Sequence, residues 1–480
     1  RGGKDAMLFC SKQFFLFFAA VFALHWAMPW HRLRVVLLVV ASFYFYASWN
    51  KWLALIICAT TCMDYVVALG IERCRTPLHK KLLLGVSLAV NLGLLFYFKY
   101  ANFFLDSLRE ALEAAGASAS LPVLQVILPI GISFYTFEAL NYTIDVYRGR
   151  MPAERNILHL MLFILFFPHL VAGPIVRAKD FLPQVGRRKR RDWPRFHLGV
   201  QFFLRGLFKK LAIADRLALY ADPVFGDPGQ FGTTSLWLAT LAYTLQAYCD
   251  FSGYSDMAIG AAHMLGYKLA QNFNLPLLST SISEFWRRWH ISLSSWLRDY
   301  VFIPLGGSRG ARWRTYCNLF ITFTLCGMWH GATWSFVAFG VIHSLMLIGH
   351  HLFRDYCGRR PRLDAVLQTG TGTALRIALT FLCFALSLVI FRTQTLAAGF
   401  TMLERMFWPC EGNAIPLYMH GYWITVAVVA LGHALAAGER WKDLVYRLPV
   451  PVRGLGYATM FTLAIVLAPA AGRAFIYFQF

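Results

Sequence analysis

Long apolar runs separated by short basic segments recur along the whole sequence. A helix of about 20 mostly apolar residues can cross the hydrocarbon core of a bilayer, and cations between such runs mark the cytoplasmic side. The pattern therefore predicts an all-α, polytopic membrane helical bundle whose first residues face outward. The predicted spans are residues 14–28, 35–48, 52–71, 82–97, 121–144, 236–265, 333–348, 374–391, 422–437 and 457–477.

One apolar segment, residues 157–175, breaks this alternation because basic residues flank it on both sides. Pro168 and the Gly173-Pro174 pair are expected to interrupt a helix there. We predict a re-entrant segment, which membranes tolerate only where it lines a cavity inside the protein, so the bundle would enclose a central chamber. Helices outside the spans are predicted along the outer surface at 106–120, at the interface at 196–220, and at 396–408.

Composition supports a membrane protein. Hydrophobic residues make up 58% and charged residues 15%, whereas soluble domains carry about 25% charge. The net charge of +22 lies in short loops between apolar runs, which indicates topology signals rather than nucleic-acid binding. The 10 cysteines form no Cys-x-x-Cys pair, so we expect no metal site and no disulfide framework. Residues 1–6 are interpreted as an extension ahead of Met7, and residues 7–480 as a single multi-pass membrane domain.

Residues 281–330 contain all of the candidate catalytic and substrate-binding residues that the sequence indicates. Ser281 and Glu284 have the spacing of a capping box, which predicts one amphipathic helix that ends before Pro304. His290 falls on the aromatic face of this helix, and the arginines fall largely on the other face. Such a helix is expected near the membrane surface, with its cations toward phosphate and water.

A second, apolar helix is predicted at residues 316–330, with Arg314 at its cytoplasmic end. From Arg314 to His330 it would span about 24 Å at about 1.5 Å per residue, so His330 should lie inside a hydrocarbon core of about 30 Å, reachable from the far side. An ionisable group at that depth is usually functional, and the alternative is a histidine satisfied by a carbonyl group between helices. For His290, two roles stay equally open: packing or orienting only, or direct participation in the reaction. The first stays open because core histidines often have aromatic neighbours.

Six blocks stand out in order along the chain. They read Leu128-Pro-Ile-Gly-Ile-Ser-Phe-Tyr-Thr-Phe-Glu138, Pro168-His-Leu-Val-Ala-Gly-Pro174, Tyr248-Cys-Asp-Phe-Ser-Gly-Tyr-Ser-Asp-Met-Ala-Ile-Gly260, Glu284-Phe-Trp-Arg-Arg-Trp-His290-Ile-Ser-Leu-Ser-Ser-Trp-Leu-Arg-Asp-Tyr300, Ile303-Pro-Leu-Gly-Gly307 and Trp329-His330-Gly-Ala332. Together they resemble the membrane-bound O-acyltransferase family, in the branch that O-acetylates alginate and related polysaccharides. The resemblance extends over nearly the whole chain from Met7.

The resemblance implies that His330 is the catalytic histidine and His290 a second functional histidine. It implies a cytoplasmic acyl thioester donor, acetyl-CoA or a related one, and no bound cofactor. It also implies a bacterial inner-membrane protein that passes acetyl groups to a periplasmic acetyltransferase, which modifies a polysaccharide such as alginate, cellulose or peptidoglycan.

Acyl transfer to a hydroxyl needs a base that takes the hydroxyl proton, and histidine suits this role near neutral pH. We predict His330 as the base, and His290 as the group that polarises the carbonyl, orients the acceptor or protonates the leaving thiolate. Cations beside the glycine-rich turn are expected to hold the phosphates of the donor, with lipid headgroups as the alternative partner of any one arginine. The predicted substrate-binding residues are Arg287, Arg288, Trp289, Arg298, Asp299, Gly306, Gly307 and Arg309.

Other interpretations stay open. Within the same family the acyl group could be D-alanyl, although the turn at 304–307 fits the acetylating branch better. The chain could also belong to a different class of protein, a transporter or flippase whose histidines form a proton relay. Such a transporter is expected to have an inverted repeat, and the sequence does not show one. Asp250 and Asp256 lie in an apolar run and fit either an ion or proton path or polar groups that satisfy one another.

Overall fold

The computed structural model describes residues 7–117, 120–124, 126, 128–129, 131–170, 173–438, 447–469 and 475. The predicted extension at residues 1–6 and most of the end of the last predicted span lie outside the described residues. Every regular element in the described part is helical, and one isolated bridge joins Phe231 to Asn413. The all-α prediction is confirmed.

The chain divides into two compact units. They are formed by Arg1–Phe203 with Ser255–Ala270, and by Leu204–Tyr254 with Gln271–Phe480. Two helices, Trp193–Phe208 and Thr233–Met264, contribute residues to both units. A single domain over residues 7–480 stays a prediction.

Several helices have the length and composition of membrane spans. Within the described ranges, five are long and apolar enough to cross a bilayer: Lys51–Arg73, Pro77–Ala114, Trp334–Gly358, Gly370–Arg392 and Met419–Ala437. Shorter apolar helices lie at Lys12–Ala27, Ile157–Leu170 and Val450–Val466. This set confirms the prediction of a multi-pass membrane protein.

Side-chain caps start several helices of the first unit. Ser11, Asn50 and Asn156 each accept a hydrogen bond from a backbone N–H in the first turn that follows, which satisfies amides that have no partner inside the helix. The helices of this unit are Lys12–Ala27, His31–Ala47, Lys51–Arg73, Pro77–Leu95, Ala101–Ala114, Ile132–Tyr147, Ile157–Leu165, Phe167–Leu170 and Ala178–Val185.

Two predicted elements of the first unit differ from the structure. The span predicted at 82–97 and the surface helix predicted at 106–120 are not separate, because a π-helical turn, Phe96–Tyr100, keeps the chain helical between them. In the span predicted at 121–144, the helix begins at Ile132, and the described residues before it are not helical. Gly131 precedes it with a φ of 76°, a conformation that glycine adopts without steric cost.

The predicted interruption of residues 157–175 is present. The helix Ile157–Leu165 ends at Phe166, Phe167–Leu170 forms one further turn, and residues 173–177 are not helical. A re-entrant path for this segment stays a prediction.

Two side chains of the helix Ile132–Tyr147 bind the non-helical backbone of this segment. Glu138 Oε1 accepts a hydrogen bond from the backbone N–H of Val176 at 2.9 Å. Asn141 donates to the Val176 carbonyl at 2.9 Å and accepts from the Ala178 N–H at 3.0 Å. Buried side chains thereby replace the partners that a continuous helix would give this backbone.

The second unit contains the central stretch that the sequence singled out. Helices predicted at residues 316–330, 333–348, 374–391, 396–408 and 422–437 are all present. The helices of this unit are Asp215–Gly226, Ile282–Arg288, Ile291–Leu297, Arg312–His330, Trp334–Gly358, Pro361–Gln368, Gly370–Arg392, Leu396–Phe407, Met419–Ala437 and Val450–Val466, with π-helical turns at Lys209–Ala214 and Arg298–Phe302.

A buried ion cluster joins a π-helical turn of this unit to the long helix Thr233–Met264. Lys210 Nζ lies 2.7 Å from the Asp215 carboxylate and 2.8 Å from that of Asp250. Burial alone would lower the pKa of Lys210, but the two carboxylates outweigh it and raise this pKa above its ordinary value. Because Asp250 is paired with a cation, the structure favours polar groups that satisfy one another over an open proton path.

Candidate active site

Glycines bring the helix Arg312–His330 unusually close to the helix that follows it. A Cβ added to Gly327 would lie 2.8 Å from Gly340 Cα, and one added to Gly340 would lie 3.0 Å from Thr324 Cα. Backbone atoms cannot yield as a flexible side chain can, so neither position accepts a side chain without separating the helices. This contact fixes the position of the helix end that carries His330.

His330 is the last residue of its helix and is only 7% exposed. Three aromatic rings surround it, with centroids 5.0, 5.4 and 6.0 Å away: those of Trp329, Phe391 and Phe339. The chain leaves through Gly331, where a Cβ would collide with the ring of Phe336. The predicted catalytic histidine therefore lies in a buried aromatic pocket.

His290 lies at a helix break that the sequence analysis did not predict. The expected single helix from Ser281 to Pro304 is wrong, because Ile282–Arg288 ends before His290 and Ile291–Leu297 begins after it. His290 has φ 46° and ψ 53°, a left-handed conformation that costs a non-glycine residue about 1–3 kcal/mol. Such a cost persists only where neighbouring groups hold the residue in place.

The side chain of Asn272 holds His290 in place. Ser292 N and Ser292 Oγ donate to Asn272 Oδ1 at 3.2 and 2.9 Å. A backbone amide can only donate, so the accepting atom is the carbonyl oxygen of the Asn272 side chain. His290 Nδ1 lies 3.2 Å from the same oxygen and must therefore carry the proton. Nε2 of the neutral ring then bears a lone pair.

The lone pair on His290 Nε2 has no hydrogen-bond partner in the described part of the chain. Burial lowers the pKa of His290 to about 3, so the ring is neutral at physiological pH. This tautomer can accept a hydrogen bond or a proton at Nε2. It has no N–H there with which to polarise a carbonyl.

The indole of Trp329 brings the two predicted histidines into one site. Its ring centroid lies 5.8 Å from that of His290 and 5.0 Å from that of His330. Phe251 packs edge-on against His290 at 4.7 Å. Aromatic walls of this kind exclude water, which strengthens every electrostatic interaction within the site.

A third buried histidine, His343, shows how a structural histidine differs. The indole N–H of Trp286 donates to His343 Nδ1 at 3.2 Å. Because an indole N–H can only donate, His343 Nε2 carries the proton and donates to Ser387 Oγ at 3.0 Å. Both ring nitrogens of His343 form hydrogen bonds within the protein, whereas Nε2 of His290 forms none with the residues that the structure describes.

Glu284 organises the start of this region and engages one predicted substrate-binding residue. Ser281 Oγ accepts a hydrogen bond from the backbone N–H of Glu284 at 3.2 Å, as the capping box predicts. The Glu284 carboxylate accepts from Thr280 N at 2.8 Å, one residue earlier than expected. Its other oxygen pairs with Arg288 at 2.6 Å, so Arg288 already has an anionic partner.

The other predicted binding residues lie in three different settings. Arg298 pairs with its neighbour Asp299 at 2.8 Å. Trp289 is 7% exposed and stacks on an aromatic ring, so it belongs to the packed core. Two arginines are exposed and form no ion pair within the described ranges, Arg287 and Arg309.

Gly306 and Gly307 form the predicted turn. Their φ angles are 114° and 61°, in the region that favours glycine. Asn318 Nδ2 donates to the Gly307 carbonyl at 2.9 Å, which anchors the turn to the helix Arg312–His330. Arg312, at the start of that helix, pairs with Asp355 at 2.9 Å.

Asn272 is the residue of the site that sequence reasoning missed. It lies 18 residues before His290, beyond any local spacing rule. Over the described residues, no group of three or more His, Cys, Asp or Glu side chains could hold a metal ion.

Comparison with known proteins places the chain in a family. The model of the membrane-bound O-acyltransferase family, MBOAT, matches residues 7–360, which include both histidines of the site. The chain is 43% identical over 404 residues to "Probable alginate O-acetylase AlgI" of Pseudomonas aeruginosa, covering 84% of this chain and 75% of that one. It is 36% identical over 400 residues to "Peptidoglycan O-acetyltransferase" of Helicobacter pylori, covering 77% and 73%.

A more distant relative carries a different acyl group in its name. "Teichoic acid D-alanyltransferase" of Bacillus subtilis is 28% identical over 276 residues, covering 53% of this chain and 67% of that one. The family match and the two closer relatives agree with the buried pair of histidines in an all-helical membrane protein. The chain is therefore an acyltransferase that belongs to the membrane-bound O-acyltransferase family.

Proposed function

We propose that this protein moves an acetyl group from a cytoplasmic thioester through the bacterial inner membrane for the O-acetylation of an extracytoplasmic polysaccharide. A periplasmic acetyltransferase is the proposed partner, and acetyl-CoA is the proposed donor. The names of the closer relatives support acetylation of a polysaccharide. The observation that carries the proposal is the packing of His290 and His330 against one indole, with the Nε2 lone pair of His290 unpartnered among the described residues.

In the proposed step, His330 removes the proton of the acceptor hydroxyl as its oxygen attacks the thioester carbonyl. The new C–O bond forms, the C–S bond breaks, and the thiolate leaves. The imidazolium of His330 then returns the proton to the thiolate, so the products are an ester and a free thiol.

His290 is assigned the orientation of the acceptor. Its Nε2 lone pair can accept a hydrogen bond from another donor group of the acceptor, and so align the attacking hydroxyl, whose own proton goes to His330, with the carbonyl. Of the three roles that the sequence leaves open, this one needs no proton on Nε2. The hydrogen bonds of Asn272 support it directly.

For the donor, the exposed arginines Arg287 and Arg309 are the best-placed phosphate ligands of the predicted set, because neither forms an ion pair with a described residue. Arg288 and Arg298 would have to exchange a carboxylate for a phosphate. Gly306 and Gly307 would offer backbone amides beside them.

The main test replaces each histidine by glutamine and measures transfer of radiolabelled acetyl from acetyl-CoA in inner-membrane vesicles. We expect His330→Gln to lose activity by about 10²–10⁴-fold, the usual contribution of a general base. His290→Gln should lose less. The matched control is His197→Gln, at an exposed position, which should keep wild-type activity.

Equal activity of His330→Gln and wild type, at equal abundance in the membrane, would end the assignment. Activity with D-alanyl thioester but none with acetyl-CoA would favour the D-alanyl alternative, which the lower similarity to that relative disfavours. Proton-coupled transport with no need for a thioester would favour the transporter class instead.

A further inference from the structure

A second cavity, separate from the residues around the two histidines, lies where two candidate spans of the second unit are joined. Its volume is about 500 Å³, within the range of small-ligand sites. The helices Trp334–Gly358 and Gly370–Arg392 form its walls, and the short helix Pro361–Gln368 closes the turn between them.

The walls of this cavity change from basic to apolar along the helix axes. Arg354 and His350 lie in the last turns of one helix, and Arg376 lies in the first turns of the other. Met346 and Cys383 line the cavity one to two turns further from those ends. Cations near the helix ends and apolar groups deeper in match the polarity of a bilayer from headgroup to acyl chain.

The two arginines of the cavity have no carboxylate partner in the described part of the chain. Arg354 and Arg376 form no ion pair with any described residue, and Arg376 Nε and His350 Nδ1 are buried there without a hydrogen-bond partner. The carboxylate in the lining, Asp364, accepts a hydrogen bond from Gln368 at 2.7 Å. Buried polar atoms are normally satisfied, so the buried guanidinium N–H of Arg376 calls for a partner of opposite charge, which the exposed Arg354 can share.

The cavity is bordered by apolar side chains on the outer surface. Phe353 is 47% exposed and Leu379 is 58% exposed, and both line the cavity. They belong to candidate spans, so their exposed faces meet lipid rather than water. An amphiphile can therefore enter sideways from the bilayer.

From this polarity and these unsatisfied donors, we propose that the cavity binds a phosphate-bearing amphiphile. The phosphate lies between Arg354 and Arg376, and the hydrocarbon lies along Met346 and Cys383. Arginine suits this role because its planar fork of donors matches phosphate oxygens. An anionic phospholipid and the phosphate end of an acyl-CoA share this chemistry, and the test separates them.

The experiment uses the full chain, incorporated into nanodiscs of phosphatidylcholine and phosphatidylglycerol in equal parts, and counts retained lipid by native mass spectrometry. Wild type should retain phosphatidylglycerol in preference to phosphatidylcholine. The double variant Arg354→Gln/Arg376→Gln should retain it at least about tenfold less, since the loss of even one charge-assisted hydrogen bond has that effect and the variant removes both guanidinium groups.

Two further variants guard against general effects of charge and folding. The control Arg359→Gln/Arg362→Gln removes two exposed cations from the same turn, outside the cavity lining, and should retain lipid as wild type does. The pair Arg354→Lys/Arg376→Lys keeps the charges and should retain most of the phosphatidylglycerol. If the lysine pair fails as the glutamine pair does while remaining folded by circular dichroism, charge alone is insufficient and the bidentate contact is required.

Coenzyme A distinguishes the two sources of phosphate. If it displaces phosphatidylglycerol from wild type, and binds more weakly to the glutamine pair, the donor supplies the phosphate. If lipid retention is unchanged by coenzyme A, the phospholipid supplies it. Equal retention by the glutamine pair and wild type, with no effect of either variant on coenzyme A, overturns the proposal. Because binding is counted without turnover, this outcome is independent of the proposed acetyl transfer.

Discussion

The hydrogen bonds of single residues decide what each histidine can do. Asn272 forces the proton of His290 onto Nδ1, and Trp286 forces that of His343 onto Nε2. The first arrangement leaves a lone pair for a substrate, and the second leaves none. Two buried histidines with similar aromatic surroundings therefore have different chemical capacity.

Replacing Asn272 by alanine should lower acetyl transfer by about tenfold or more, the cost of one lost orienting hydrogen bond to a buried ring. The loss should appear chiefly in kcat, because the acceptor hydroxyl would be misaligned in the transition state. Asn274→Ala is the control, since this side chain is exposed two residues away. An unchanged kcat for Asn272→Ala would remove its orienting role.

The pH profile offers a second test of the same residue. In wild type the pKa of His290 is lowered to about 3 by burial, so above about pH 5 its neutral fraction should not limit the rate. Asn272→Asp places a carboxylate beside Nδ1, which favours the charged ring and raises this pKa. Both proteins share the acid limb that protonation of the base His330 produces. Activity of Asn272→Asp should therefore show an additional loss as pH drops through the raised pKa of His290, which wild type lacks. Identical acid limbs would contradict the tautomer assignment.

At the scale of secondary-structure elements, the close contact between two helices fixes the position of His330. The helices Arg312–His330 and Trp334–Gly358 meet at two glycines, and neither position has room for a methyl group. In a close-packed interior, an added methyl group pushes the backbones apart.

Gly340→Ala should destabilise the protein by about 1–3 kcal/mol, the usual cost of overpacking, and should reduce activity by displacing His330. Gly349→Ala lies in the same helix but has nothing within 4 Å of the added Cβ, so it is the matched control. Thermal unfolding in detergent and acetyl transfer measure the two effects. Equal melting temperatures for the two variants would mean that the helices can separate without loss.

The sequence predicted the existence and order of most helices, because apolar runs and basic loops are local signals. The break near residue 166 was also predictable from Pro168. The break at His290 was not, because no glycine or proline marks it and the stabilising group, Asn272, comes from 18 residues away. The π-helical turn Phe96–Tyr100 likewise leaves no periodic trace in so short a segment. Tertiary hydrogen bonds outweighed local preference at His290.

At the scale of the whole molecule, the distribution of cations predicts which side faces the cytoplasm. The length of the helix Arg312–His330 then predicts how far His330 lies from that side. Its 19 residues span about 28 Å at about 1.5 Å per residue. Arginines at its start and a histidine at its end would thus lie near opposite sides of the hydrocarbon core.

Cysteine labelling tests this topology in a cysteine-depleted background. A membrane-impermeant thiol reagent added from outside should spare Arg314→Cys and modify Ala332→Cys slowly. Gly331 is unsuitable as a probe site because a Cβ there would collide with Phe336, whereas Ala332 already carries one. Labelling of position 314 from outside would invert the topology, and no labelling of position 332 from either side would place His330 in a closed core.

The continuous helix Pro77–Ala114 is longer than the hydrocarbon core of a bilayer is thick. Its 38 residues extend about 57 Å, and even at the largest usual tilt of about 40° they still rise about 44 Å, against a hydrocarbon core of about 30 Å. At least one end must therefore lie outside the hydrocarbon core, at the level of the headgroups or beyond them. The charged end, which includes Asp106, Arg109 and Glu113, avoids hydrocarbon at the lower cost. The last turns of this helix, from Asp106 onward, therefore hold their charged side chains at the level of the phosphates or in the water beyond them.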